Sequence, residues 1–159
     1  MAVPSSQWVI LNGIRLIFQD LREASRAAEA RFGLSGAQLF VLQTLAATAG
    51  MSVNELAART FTHQSSVSGV VKKLVRRKLV RARRSRRDAR RLELSLTPAG
   101  ARVVRRAPDA AQARLIAGLN GLPDAERKRL ARGVRRLVRA MGMEGREAAM
   151  FLEDQSPES

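Results

Sequence analysis

Hydrophobic residues recur at helical spacing over most of the chain, which predicts a mainly α-helical protein. The first apolar stripe starts at Trp8, continues through Leu21 to Ala28, and is followed by a candidate stop at Gly33. A helix of this length has a wide apolar face and needs a large surface to cover it. We therefore expect this helix to serve as a dimerisation element, although Trp8 could instead line a ligand pocket.

Two shorter helices are predicted by capping boxes, in which a serine is followed three residues later by a glutamine or a glutamate. The pairs are Ser35 with Gln38 and Ser52 with Glu55. A further helix is predicted over residues 63–77. Its apolar face consists of Val67, Val70, Val71 and Leu74. Its opposite face carries small, polar or cationic side chains, as a surface that binds a polar partner would.

The spacing of apolar residues changes from helical to alternating after residue 77. Segments 79–83 and 92–96 both alternate, which predicts two strands joined as a hairpin. Thr97 then caps a helix that has Pro98 in its first position. Helical spacing continues to residue 143, and Pro108 should kink or divide this region because proline lacks a backbone N–H.

Positive charge is concentrated around the predicted hairpin. The net charge of the chain is +15, and residues 72–91 hold twelve basic and one acidic side chain, a net of +11. The segment RARRSRRDARR, residues 81–91, contains seven of these arginines. A run of this kind is either a solvated linker or a site for a polyanion. Because strand patterns stand on both sides, we predict that it forms the hairpin tip and binds phosphate.

Residue types that are rare or missing exclude several function classes. The chain has no cysteine and one histidine, His63, which leaves little from which to build a metal site and no thiol chemistry. We find no catalytic triad pattern and no phosphate-binding glycine loop, so we predict neither an enzyme nor a cofactor. No signal peptide or membrane span is apparent in the sequence, and we expect a cytoplasmic protein with no membrane partner.

Two short helices followed by a basic hairpin form the pattern of a winged helix-turn-helix, in which the second helix enters the DNA major groove. At this point the segment SSVSGVVKKLVRRKLVRARRSRRDARRLELSLTPAG resembles the core of the multiple antibiotic resistance regulator (MarR) family. The matching features, in order along the chain, are Val67-Ser68 with Leu74, Leu79-Val80, Asp88 and Arg90 as D-x-R, and Leu96-Thr97 through Gly100. The resemblance covers roughly residues 8–142. One departure is Lys78, where the family usually has a glycine.

The resemblance implies a winged helix-turn-helix flanked by N- and C-terminal dimerisation helices. We expect four parts: a dimerisation helix (1–33), the winged DNA-binding domain (34–100), further dimerisation helices (101–143) and an acidic, partly flexible tail (144–159). It also implies a homodimer that binds a palindromic operator in double-stranded DNA, usually as a repressor. A small aromatic or anionic effector, which the sequence does not identify, would release it.

The candidate DNA-binding residues lie on the outer face of the helix at 63–77 and in the hairpin. They are Gln64, Ser65, Ser66, Ser68, Lys72, Lys73, Arg84, Arg86, Arg87, Asp88 and Arg90. By the resemblance, Arg90 would reach the minor groove with Asp88 holding it in position.

Two other binding functions stay open. The arginine density of the hairpin would also suit an architectural protein that coats DNA without regard to sequence. An RNA-binding winged helix is disfavoured, because aromatic residues that stack on single-stranded bases make up only 4% of the chain. His63 could contact DNA, or it could be a solvated residue at the start of a helix.

Overall fold

The computed structural model describes residues 4–85 and 90–153. In these ranges the chain forms seven α-helices and one hairpin of two antiparallel strands. In chain order the elements are α1 (Ser6–Phe32), α2 (Gly36–Ala47), α3 (Val53–Thr60), α4 (Gln64–Arg76), β1 (Val80–Arg84), β2 (Leu92–Leu96), α5 (Pro98–Arg106), α6 (Ala111–Gly121) and α7 (Asp124–Ala140). The predicted fold class, mainly α-helical with a small β-hairpin wing, is confirmed.

Helices α2, α3 and α5 begin where the capping signals predicted. Both halves of the capping box form at Ser35 with Gln38 and again at Ser52 with Glu55. At the start of α5, the Thr97 hydroxyl accepts a hydrogen bond from the backbone N–H of Gly100 at 3.1 Å. These bonds satisfy backbone donors that have no partner inside the helix, and so they fix where each helix starts.

Helix α2 forms the centre of the hydrophobic core. Eight of its twelve residues are buried, and it packs against α1, α3, α4, α5, α6 and the second strand. The side chains that are most completely buried are Leu34, Val41, Leu42, Leu45, Leu56, Val67, Val70, Leu74, Val80 and Leu94. Burying a leucine or valine stabilises the fold by about 1.5–3 kcal/mol. This core therefore fixes α3, α4 and the base of the hairpin in one rigid arrangement.

The hairpin has a regular register in which Val80 pairs with Leu96 and Arg84 with Leu92. One part of the prediction was wrong: the arginine run of residues 81–91 is not all tip, because its first four residues, 81–84, belong to β1. A bridge between Met51 and Leu94 attaches β2 to the chain just before α3. Three of the predicted tip residues, Arg86, Arg87 and Asp88, lie outside the described residues.

Lys78 adopts the left-handed conformation that a glycine would favour, with φ of 57°. Its N–H bonds to the Val75 carbonyl at 2.9 Å, and the next N–H, of Leu79, bonds to the Leu74 carbonyl at 3.0 Å. These bonds satisfy carbonyls at the end of α4 and turn the chain into β1. Lysine therefore occupies this left-handed turn.

Pro108 divides the predicted fifth helix rather than bending it. Helices α5 and α6 are separated by residues 107–110, and the break is held by the side chain of Gln43 on α2. The Gln43 amide donates to the Pro108 carbonyl and accepts from the N–H of Ala110, both at 2.8 Å. These two backbone groups have no helical hydrogen-bond partners at the break. The Gln43 side chain supplies a partner for each of them.

Two helices keep apolar faces that nothing in the described chain covers. On α1, eight large apolar residues are about half exposed: Trp8, Val9, Ile10, Leu11, Ile14, Leu16, Ile17 and Phe18. On α7 no residue is buried, and Leu130, Val134 and Leu137 are exposed, as is Met141 directly after the helix. Despite the apolar character of α1, no helix in the described ranges is long and apolar enough to cross a bilayer.

Candidate nucleic-acid interface

Helix α4 has one buried face and one open face. Val67, Val70, Val71 and Leu74 are buried in the core. The candidate residues Gln64, Ser65 and Lys72 are exposed, whereas Ser66, Ser68 and Lys73 are half-buried. Since residues three and four apart share a helix face, the polar set forms one continuous surface. Serine, glutamine and lysine on such a surface can bond base edges and phosphates.

The hairpin stands beside this helix, because β1 follows α4 through the turn at Lys78 and packs against it. Arg84 ends β1, and Arg90 lies just before β2; both are exposed. Lys73, Arg84 and Arg90 each take part in interactions within the protein. The candidate surface therefore joins the open face of α4 to cationic side chains of the hairpin.

His63 lies immediately before α4, as its N-cap residue, and its side chain makes no capping bond. The backbone there is extended, with φ of −67° and ψ of 145°. The histidine is exposed. Its position is compatible both with a contact to DNA and with simple solvation.

Arg91 was not among the residues that the sequence singled out, and the structure shows what it does. Its Nη2 atom donates to Glu55 Oε2 at 2.6 Å and to the Gly50 carbonyl at 3.3 Å. This ion pair connects the tip end of the hairpin to the start of α3. The only signal in the sequence was Glu55 itself, which the capping box already explained.

Glu55 is held in its charged form by these neighbours. Its pKa is lowered, first by the hydrogen bond from the Ser52 backbone N–H, then by the Ser52 hydroxyl, and further by the positive charge of Arg91. Each of these partners stabilises the carboxylate more than the neutral acid. The capping carboxylate is thus also the anchor of the hairpin.

Comparison with known proteins shows which family this arrangement of α4 and the hairpin resembles. Residues 32–91, which run from the last residue of α1 to the residue before β2, match the model of the MarR family. This segment has the winged helix-turn-helix arrangement and is similar in sequence to the MarR family. The resemblance inferred from the sequence is therefore confirmed, and α4 corresponds to the helix that this motif places next to the wing.

Solved structures show that the MarR-type architecture extends beyond the matched segment. The transcriptional regulator BldR from Sulfolobus solfataricus superposes with a TM-score of 0.57 at 23% identity, over 88% of this chain and 99% of its own. The S. aureus MepR–DNA complex gives 0.59 at 18% identity, over 87% and 99%. Bordetella bronchiseptica BpsR, whose DNA binding is regulated by 6-hydroxynicotinic acid, gives 0.56 at 22%, over 84% and 92%. No curated protein sequence matches the chain.

A cavity of about 450 Å³ lies beside the winged domain. Its walls come from residues 60–63 at the α3–α4 turn, from α6, from Arg127 on α7 and from residues 148–151. The lining is mostly apolar, with His63, Gln112 and Asn120 among its few polar groups. The sequence did not predict this cavity, because its walls are distant along the chain. Trp8, which we considered for a pocket, does not line it.

Proposed function

We propose that the protein is a homodimeric transcription repressor that binds a palindromic operator in duplex DNA and is released by a small ligand. The observation that carries the proposal is the open polar face of α4 beside a strongly cationic hairpin, both fixed by the same core. A rigid helix with this surface suits the major groove, and a hairpin suits the flanking backbone or minor groove.

In this proposal the helix reads sequence and the hairpin supplies most of the affinity. Gln64, Ser65, Ser66 and Ser68 would bond base edges, while Lys72 and Lys73 bind phosphates. Arg84, Arg86 and Arg87 would contact the DNA backbone. Arg90 would enter the minor groove, with Asp88 holding its guanidinium in one orientation.

A second copy of the chain would cover the exposed apolar faces of α1 and α7. Eight half-exposed apolar residues on α1 are more than a stable monomer usually leaves in water. The proposed parts are residues 1–33 and 101–143 for dimerisation, 34–100 for DNA binding, and 144–159 as the acidic tail. Twofold symmetry would place two α4 helices on half-sites about one turn of DNA apart.

The cavity at the α3–α4 turn is the proposed ligand site. Its volume of about 450 Å³ and its apolar lining suit a small aromatic compound. One wall is the segment that leads into α4, so a bound ligand would act on the position of the reading helix. Regulation of BpsR by an aromatic acid is a precedent within this fold.

A footprint on the DNA that flanks the protein's own gene tests the proposal. A protected palindrome with two equal halves would support the repressor, and uniform coverage would favour an architectural protein with the same charge.

Sedimentation of wild type against Ile14→Glu tests the dimer. The charged side chain should convert dimer to monomer, whereas Gln19→Glu, which alters a polar position of α1, should leave it a dimer.

A further inference from the structure

The chain beyond α7 returns to the winged domain and packs against it. Met150 is only 5% exposed and belongs to the hydrophobic core. The buried side chain of Gln112 on α6 donates from Nε2 to the carbonyl of Phe151 at 2.7 Å. A buried side chain and a bond to a buried amide fix the path of residues 150–151, so this part of the tail is a docked element.

The docked tail brings a carboxylate to the open face of α4. Glu153 Oε1 lies 3.3 Å from the point where a Cβ atom on Gly69 would stand. Gly69 is four residues after Ser65 and three before Lys72, so all three share the face that we assign to the major groove. Because Gly69 has no side chain, the carboxylate can approach the helix backbone closely.

We propose that residues 150–153 form an autoinhibitory strap, which competes with duplex DNA for the face of α4 around Gly69. The inference rests on the proposed function, since it requires that this face enters the groove. A helix in the major groove has DNA atoms against its open face, so the strap and the DNA exclude each other. The strap carries the negative charge of Glu153, and the tail that contains it, residues 144–159, holds five acidic and one basic side chain. This charge repels phosphate.

The strap is connected to the cavity as well. Residues 148–151 form one wall of the cavity, and residues 60–63 at the α3–α4 turn form another. A molecule in the cavity therefore touches both the strap and the segment that leads into the reading helix. A ligand bound there could therefore change the position of the strap and with it the exposure of the α4 face that the strap covers.

The first test compares two variants that remove the same charge from the same tail. Glu153→Gln removes the carboxylate beside Gly69, and Glu147→Gln removes an exposed one outside the strap. Binding to sheared, mixed-sequence duplex DNA is measured at low salt by fluorescence anisotropy. We expect Glu153→Gln to bind the DNA roughly threefold to tenfold more tightly than wild type. The affinity of Glu147→Gln should differ from that of wild type by less than about twofold, since Coulomb interactions weaken with distance.

Equal changes in the DNA affinity of the two variants would overturn the strap proposal, because they would show an effect of net charge alone. If none of the three proteins bound duplex DNA, the proposed function itself would fail, and the strap with it. If all three bound with the same affinity, only the strap would fail. The two hypotheses are therefore distinguished by one set of titrations.

Hydrogen exchange gives a second measurement that does not depend on a mutation. The N–H of Glu153 bonds to the carbonyl of Met150 at 3.2 Å in the docked strap. When saturating duplex DNA is added to the full-length protein, backbone amides of residues 150–153 should exchange faster, while those of α2 stay protected. Unchanged or slower exchange in the strap would mean that DNA binds without displacing it, and would overturn the proposal.

Discussion

Arg91 and Glu55 form an ion pair of 2.6 Å that ties the tip end of the hairpin, just before β2, to the first turn of α3. The same oxygen, Glu55 Oε2, also accepts the N–H of Ser52 at 2.8 Å and its hydroxyl at 3.0 Å. One carboxylate therefore caps a helix and anchors the wing. Because both partners are partly exposed, the pair contributes more to the position of the hairpin than to overall stability.

Exchange of Glu55 for glutamine should separate these two roles. Glutamine can still cap the helix, as Gln38 does for Ser35 at the start of α2, but it carries no charge to hold Arg91. We expect Glu55→Gln to keep nearly the wild-type midpoint in urea and to bind duplex DNA less tightly. Glu55→Ala should lower the midpoint as well. Equal midpoints for the two variants would show that the capping bond does not stabilise the fold.

Acid should remove the stabilisation that Glu55 contributes. Its pKa in the folded protein is lowered from the usual 4.5, so the unfolded chain binds its proton more readily than the folded one. The contribution is complete above the unfolded pKa and is lost as the pH falls through the folded pKa. The difference in unfolding free energy between wild type and Glu55→Ala should be constant above about pH 6 and shrink below about pH 4.5. A difference that grew in acid would contradict the assignment.

The sequence predicted the elements of this fold better than their connections. Capping boxes and apolar spacing located α2, α3 and α4 correctly, because those signals are local. The ion pair of Arg91 and the docking of Met150 join residues far apart in the chain, and no local pattern encodes such contacts. The cavity escaped prediction for the same reason. The candidate surface on α4 could be listed in advance because one helix face carries it.

Arg90→Ala tests the proposed wing contact. Arg90 is exposed beside the start of β2, and a guanidinium in the minor groove contributes on the order of 1–3 kcal/mol to binding. Operator affinity should fall by about tenfold or more, with the dimer intact by sedimentation. Arg132→Ala is the matched control, since it removes the same charge from α7 on the side opposite Val134. If both variants lost affinity equally, the loss would reflect net charge, and the wing assignment would fail.

Gly100 should not tolerate a side chain. A Cβ atom there would stand 2.2 Å from the Leu79 carbonyl oxygen, and neither backbone segment can move without disturbing the hairpin. We expect Gly100→Ala to destabilise the protein by about 1–3 kcal/mol in urea denaturation. The control is Gly118→Ala on α6, where nothing lies within 4 Å. Alanine there should be neutral or stabilise by up to about 1 kcal/mol. A stable Gly100→Ala protein would show that α5 can shift away from Leu79.

Lys78 offers the opposite case, because its left-handed conformation, with φ of 57°, is one that glycine adopts without cost. Lys78→Gly should raise the free energy of unfolding by up to about 1 kcal/mol. The gain is limited because glycine also gives the unfolded chain more freedom. Lys78→Ala removes the same charge and keeps the Cβ atom, so it should show no such gain. If alanine stabilised the protein as much as glycine, the effect would come from relief of charge repulsion among the basic residues around Lys78, and the turn would carry no backbone strain.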